Sequence, residues 1–436
     1  MSTAAAAGLA PTHAVLDNGL VVLAKQTTAT PSITIHAMFR AGNVHDPAAL
    51  PGVGHFVARV LDRGTASRSA DEIADELDER GVSLSIKANR HATSIVVDSL
   101  SEDFDALLAL VSDVVRHPAF PEDQIALRRR EILTMLRQDE DNPAARVGEA
   151  LFPLMYGAAH PYGRRVKGTA ESVERITRDD LVAFRRARFA PHRGALAIVG
   201  DIEPGRAVDA AAALFGDWDA AGAPDEPIPP PAVRRTREMK VVEMPAKAQA
   251  DIAYGFVTIT RTDPAYYAYW VMNTVLGQYG IGGRIGDDVR ERQGLAYYAY
   301  SAFDPHVVPG PLIVRAGVDG ANVDRAIATI DAQIARMASE GPTDEELADT
   351  KRFLIGSLPR TLETNAGIAF FLQTAEHFGL GLDYDLRLPG LIEAVSRDAA
   401  HQAAAHLSPE RAAIVVAGPY RILNADGVHD SSPYHA

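Results

Sequence analysis

Landmarks in the first half of this chain return in the second about 220 residues later, the mark of a duplicated unit. Ile33 lies in the run Ser32-Ile33-Thr34-Ile35-His36-Ala37-Met38-Phe39. It finds Ile252 in Ala250-Asp251-Ile252-Ala253-Tyr254, a shift of 219. Pro121-Glu122-Asp123 finds Pro342-Thr343-Asp344, a shift of 221. Ala190-Pro191, ahead of an apolar run ending at Gly200, finds Ser408-Pro409 ahead of a run ending at Gly418, a shift of 218. Chance could supply one such match between α/β segments; three at nearly one offset argue for one fold used twice. At 436 residues, each copy is long enough to bury its own core without a disulfide or metal staple. Between the copies lies Gly222-Ala223-Pro224-Asp225-Glu226-Pro227-Ile228-Pro229-Pro230-Pro231. Proline at that density is barred from helices and central strands, so the stretch reads as an extended, semi-rigid linker. The expected organisation is a first domain over 1–215, a linker over 216–236 and a second domain over 237–436. The polar end, Asn424 to Ala436, is expected to fray.

Strand and helix signals alternate within each copy. Ser32–Phe39 alternates with period two, as a strand does. Ser69-Ala70-Asp71-Glu72 is a capping box that opens a helix carrying Ile73 and Leu77 on one face and ending at Gly81. Val82 to Ile86 and Thr93 to Leu100 read as strands. Leu107 to Val115 and Ile125 to Leu136 read as helices, and Ala195 to Gly200 as a short buried strand. Mixed runs of this kind predict α+β domains with mixed or antiparallel sheets.

Composition narrows the function classes. The absence of cysteine excludes thiolate zinc sites, iron–sulfur clusters and thiol nucleophiles. With 43 Lys and Arg against 57 Asp and Glu, the formal charge of −14 disfavours a general nucleic-acid binder. No run of about 18 apolar residues predicts a membrane span. Met1 to Gly8 has no basic n-region and no apolar h-region, so a cytoplasmic bacterial chain is expected, or a periplasmic one if a leader has been removed.

Two segments carry chemistry. In the first half, Gly52-Val53-Gly54-His55-Phe56-Val57-Ala58-Arg59 runs on through Val60-Leu61-Asp62-Arg63 to Gly64-Thr65. It resembles the signature of the pitrilysin/insulinase metallopeptidases, the inverted zincins, whose motif is H-x-x-E-H followed shortly by G-T. Residues i and i+4 share a helix face, so the two histidines grip one Zn²⁺ while the glutamate acts on its bound water. Only the first histidine is kept here, as His55. Ala58 stands at the general-base position and Arg59 at the second histidine. The family's third ligand, a glutamate roughly 76 residues further on, falls on Met135, a register supported by the following Asp141-Asn142-Pro143. One histidine does not make a catalytic zinc site, which takes about three protein ligands and an open position. A permanent cation at residue 59 would also repel the metal. His55 is therefore expected to be a packed or hydrogen-bonded helical histidine, and no metal is expected in this chain. His160-Pro161-Tyr162-Gly163 and Gly168-Thr169 match the family's later H-P-Y-G…G-T segment.

In the second half, the Gly-rich stretch Leu276-Gly277-Gln278-Tyr279-Gly280-Ile281-Gly282-Gly283-Arg284-Ile285 leads into Val289-Arg290-Glu291-Arg292-Gln293-Gly294-Leu295-Ala296-Tyr297. This resembles the family's second-domain signature. There an arginine and a tyrosine seven positions apart hold the substrate backbone near the scissile bond, and the matching pair is Arg290 and Tyr297. Both side chains can donate to a peptide carbonyl and to the oxyanion formed from it. Against this stands the ordinary fate of a strand tyrosine, which is core packing. Alternation puts Tyr298 and Tyr300 on one face, read as core, and Leu295, Tyr297, Ala299 and Ser301 on the other. The glycine cluster has neither the Lys-Ser/Thr ending of a phosphate loop nor dinucleotide-site spacing, and reads as a tight turn between helices. Arg128-Arg129-Arg130 reads as a solvated helix face.

The resemblance runs from about His13 to about Tyr420. It implies two homologous domains of the processing-peptidase-like fold, half of a four-domain clamshell. In the family, some members pair two chains of this length, one with the zinc site and one with the Arg/Tyr pair. The expected role is the second: a zinc-less subunit that closes the chamber and supplies Arg290 and Tyr297. A homologous partner with an intact H-x-x-E-H would hold the Zn²⁺ and an edge strand for a peptide or unfolded-protein substrate. The alternative is a catalytically inactive structural or peptide-binding protein of the same fold, like the respiratory-chain core proteins. No membrane or nucleic-acid partner is expected.

Overall fold

The computed structural model describes residues 8–219, 222, 227–278 and 282–421. The expected frayed tail, the middle of the Gly-rich turn and part of the linker lie outside the described residues. The chain forms two compact units, and neither is one stretch of sequence. The first comprises 1–136, 164–228 and 355–390; the second comprises 137–163, 229–354 and 391–436.

The first unit is built on a six-stranded sheet ordered β1-β2-β6-β3-β5-β4. Its strands are β1 (Thr12–Val15), β2 (Val21–Gln26), β3 (Ser32–Phe39), β4 (Leu84–Ala88), β5 (Thr93–Leu100) and β6 (Gly194–Gly200). The second unit has a five-stranded sheet ordered β7-β11-β8-β10-β9. Its strands are β7 (Glu238–Glu243), β8 (Gln249–Val257), β9 (Ala296–Phe303), β10 (Pro311–Asp319) and β11 (Ala413–Gly418). The repeat read from sequence is visible in both. β2 pairs with β6 in parallel as β7 does with β11, and β3 and β8 run antiparallel to their neighbours. Gly200 and Gly418 close equivalent strands at φ of 149° and 144°, where a Cβ would crowd the adjacent strand's backbone.

Each sheet carries a helix from the other half of the sequence. Pro143–Tyr156 packs on β8 and β11, and Asn365–His377 packs on β3 and β6. Gln373, nearly fully buried, fixes the second of these by donating from Nε2 to the carbonyls of His36 (2.6 Å) and Ala195 (2.9 Å). Gly255 on β8 gives the first its seat, since a Cβ there would meet the side chains of Met155 and Leu151. Elsewhere local signals act as read. The Ser69 capping box makes both its hydrogen bonds, and the helix Ala70–Glu79 ends before Gly81 at φ 63°. The strand expected over 82–86 lies two residues later, as β4, in register with β5. Among the described residues no helix is long and apolar enough to cross a membrane.

Candidate functional site

The helix Val53–Val60 starts at Gly52, whose φ of 94° suits glycine, and rests on Asp46. The Asp46 carboxylate accepts from the backbone N–H groups of Gly52 (2.6 Å) and Gly54 (3.0 Å). Burial pushes its pKa up to about 7, although those two donors and Arg164 favour the anion. On this helix His55 is half-buried and Ala58 is buried. Arg59 donates from Nη2 to Glu131 Oε2 at 3.0 Å, on the helix Glu122–Glu140. Glu131 also accepts from Arg128 at 2.6 Å, and these hydrogen bonds, Arg128's first, hold its carboxyl below the usual range. Met135, one turn further along, packs against the first unit's apolar core.

Of the four motif positions only residue 55 carries a metal donor, and the guanidinium of residue 59 is committed to a carboxylate. Among the described residues no group of three or more His, Cys, Asp or Glu is placed to hold a metal ion. This donor set does not fit a catalytic zinc. The arginine triplet is the expected solvated face only at Arg130, which is exposed. Arg128 is half-buried on Glu131, and Arg129 donates to the carbonyls of Val173 and Ile176 with its guanidinium 5.1 Å from the Phe56 ring centroid. It ties its helix to the chain that follows Gly168-Thr169.

The other first-half signature also has a structural explanation. His160 accepts from Tyr162 N at its Nδ1 (3.0 Å), and its Nε2 lies 2.9 Å from the Pro229 carbonyl. Its ring stacks on Tyr156 at 5.5 Å. It anchors the start of the proline run. Thr169 forms a second capping box, and Ser172 Oγ donates to Pro51 O at 2.7 Å.

In the second unit, Arg290 lies in a π-helical turn, Gly286–Arg292, that packs against β9. Such turns are rare and often sit at functional sites. Arg290 is exposed, its nearest ion-pair partner being the adjacent Glu291 at 3.5 Å. It lines a cavity of about 470 Å³ with Gln278, Gly286, Tyr298, Tyr300 and neighbouring β9 residues. Tyr297 is 82 % exposed. It lies on β9, an edge strand, and is not among that cavity's walls. The expectation that Tyr298 and Tyr300 are core is corrected: Tyr298 is half-buried and Tyr300 is 42 % exposed. The buried face belongs to Ala299 and Ser301, whose small side chains let the π-helical turn Thr274–Gln278 close in. A Cβ on Gly277 would lie 2.7 Å from Ser301 N. Arg284, almost fully buried, anchors the chain ahead of Arg290 by donating from Nε and Nη2 to Glu346 (2.7 Å each) and from Nη2 to Gly341 O (2.9 Å).

Comparison with known proteins places this architecture. The insulinase model of peptidase family M16 matches residues 21–169, and the model described as the peptidase M16 inactive domain matches residues 175–354. The chain belongs to peptidase family M16. It is 29 % identical over 425 residues to an uncharacterized zinc protease of Mycobacterium tuberculosis, covering 95 % of this chain and 94 % of the relative. A similar uncharacterized zinc protease from Bacillus subtilis is 25 % identical, covering 80 % and 83 %. The crystal structure of a peptidase M16 inactive domain from Pseudomonas fluorescens superposes with a TM-score of 0.88 at 28 % identity, covering 94 % of this chain and 98 % of that one. A Helicobacter pylori protease, 16 % identical, shares the fold at a TM-score of 0.85, covering 93 % and 99 %.

Proposed function

We propose that this chain is the non-catalytic subunit of a two-chain zinc metallopeptidase. A homologous partner with an intact H-x-x-E-H supplies the metal, the general base and an edge strand to which the peptide adds by backbone hydrogen bonds. This chain closes the chamber and contributes Arg290 and Tyr297, which bind the peptide and donate to the oxyanion as water attacks. The exposure of Tyr297 carries the reading. A phenol left four-fifths in solvent on a β-strand stabilises no core, and its one chemical asset is a hydrogen-bond donor. Arg290, on the turn beside the same strand, adds a guanidinium that is not committed to a buried carboxylate. The description of the matched second-half model as inactive supports a non-catalytic role.

The test is reconstitution. A similar chain with the intact motif, encoded beside this one, is co-expressed and co-purified with it, and an internally quenched peptide is assayed with each chain alone and with the pair. Cleavage by the pair alone, abolished by a chelator, is the expected result. Chelator-sensitive cleavage by this chain alone would overturn the proposal. Full activity of the partner without it would do the same.

A further inference from the structure

We propose that Tyr298 and Asp251 form a cross-strand clasp that sets the direction of Tyr297. Asp251 on β8 is in register with Gly317 on β10, and Gly317 is in register with Tyr298 on β9. The three residues form one row across three strands and share a sheet face. The Tyr298 hydroxyl donates to the Asp251 carboxylate, two strands away. Strands are spaced by about 4.8 Å, so the side chains span about 10 Å, and the ring must lie across β10 to do so. Glycine at 317 makes this possible: a Cβ there would stand 2.6 Å from Cε1 of Tyr298. The bond also answers a local need. Asp251 is only 3 % exposed, and a buried carboxylate without donors is strongly disfavoured. Its other oxygen is 3.4 Å from Gln249 Nε2.

The consequence falls on the preceding residue. Pairing between β9 and β10 is regular from Phe303 to Tyr298, opposite Gly317; the next pair is Ala296 with Val318. Tyr297 is thus the extra residue of a β-bulge. Simple alternation would put it on the face of Ala299 and Ser301, which are 7 % and 1 % exposed. The bulge releases it to solvent, and bulges are a recurrent means of re-aiming a side chain beside a site. Without a clasp, the bulge could slide along an edge strand that has one neighbour to hold it. With Tyr298 tied to Asp251, a one-residue slip would break the buried hydrogen bond and swing every β9 side chain to the opposite face. Tyr298 is therefore a positioning residue for Tyr297, a role whose functional meaning rests on the reading of Tyr297 given above.

The test separates the clasp from that reading. 3-Fluorotyrosine is placed at position 297 alone in the full chain, and its fluorine resonance and its broadening by a soluble paramagnetic agent are recorded. Tyr298→Phe keeps the ring and loses only the hydroxyl; Asp251→Leu loses the acceptor; Asp251→Asn keeps one. Tyr298→Phe and Asp251→Leu should shift the 297 resonance and change its solvent contact, while Asp251→Asn should retain the wild-type signal. Tyr298→Phe should also lower turnover of the reconstituted pair to the extent that Tyr297→Phe does. A resonance unmoved by Tyr298→Phe overturns the clasp. A resonance that moves while Tyr297→Phe leaves cleavage unchanged keeps the clasp and overturns the functional reading instead. Should Asp251→Leu fail to fold, Tyr298→Phe against Asp251→Asn decides the question.

Discussion

Acid should loosen the first unit through histidines that fold only when neutral. His36 on β3 is 4 % exposed, its Nε2 has no hydrogen-bond partner among the described residues, and its ring stacks on Phe370 with centroids 6.4 Å apart. Burial draws its pKa down from 6.5 to about 4, opposed in part by Asp98 on β5. His377, on the helix that covers β3 and β6, is also held at about 4, by burial and then by Arg40. A group whose pKa falls on folding stabilises the fold above its unfolded value and withdraws that support as the pH drops. The window here runs from about 6.5 down to about 4. For His36 the gap corresponds to about 3 kcal/mol, of which about 2.5 kcal/mol is lost by about pH 4.5. His36→Phe keeps a flat ring against Phe370 and removes the proton. Urea unfolding of both proteins between about pH 7.5 and about pH 4.5 should show the variant gaining on wild type by roughly that amount. Hydrogen exchange should show the wild-type helix 365–377 opening first as the pH falls. A stability difference between the two proteins that stays constant across the range would refute the argument.

Other consequences can be checked directly. Tyr297→Phe or Arg290→Ala should cut kcat/KM of the reconstituted pair by about 10²-fold or more; unchanged kinetics would remove the residue from the mechanism. Arg284→Met strands the partly exposed Glu346 and should cost about 2–3 kcal/mol in denaturant unfolding, whereas a loss within about 0.5 kcal/mol would mean the anchor is unimportant. Arg59→His and Met135→Glu together complete a ligand set around His55, and Ala58→Glu restores the general base beside it. The triple variant should retain about one zinc per chain after dialysis, measured by elemental analysis, and wild type should retain none. Stoichiometric zinc in wild type would contradict the donor-set argument.

Much of the fold is legible where a local rule acts alone. β3 and β5 fall where alternation puts them, and the Ser69 box caps as its spacing requires. Proline and glycine landmarks around 191–200 and 409–418 mark equivalent strands because both need the same close backbone approach. The crossing of one helix from each half of the sequence to the sheet built by the other half was hidden. Helices 143–156 and 365–377 bury residues such as Leu151 and Leu372, but nothing local in their sequences names the sheet that buries them. The site was half legible. The spacing of Arg290 and Tyr297 could be read, but the bulge and the clasp could not, because they depend on pairing with β8 and β10. The available signal was Gly317, a lone glycine inside an apolar strand, which warns of a bulge or a close crossing. The aromatic residues of β9 misled for a related reason. Bulk suggests core, yet the face against the π-helical turn needed small residues instead. The partner of Arg59 is not legible from the family motif, because Glu131 stands one turn before the motif's ligand position at residue 135.

The reciprocal placement of Pro143–Tyr156 and Asn365–His377 bears on how the molecule is made. A ribosome finishes the strands of the first sheet at Gly200 but delivers the helix that roofs β3 and β6 only after most of the second half has been translated. Through that interval the nascent polypeptide carries an apolar surface with no lid, which gives a chaperone something to hold. A gene severed at the prolines would yield two fragments that each lack a roof and must dock with one another to complete either.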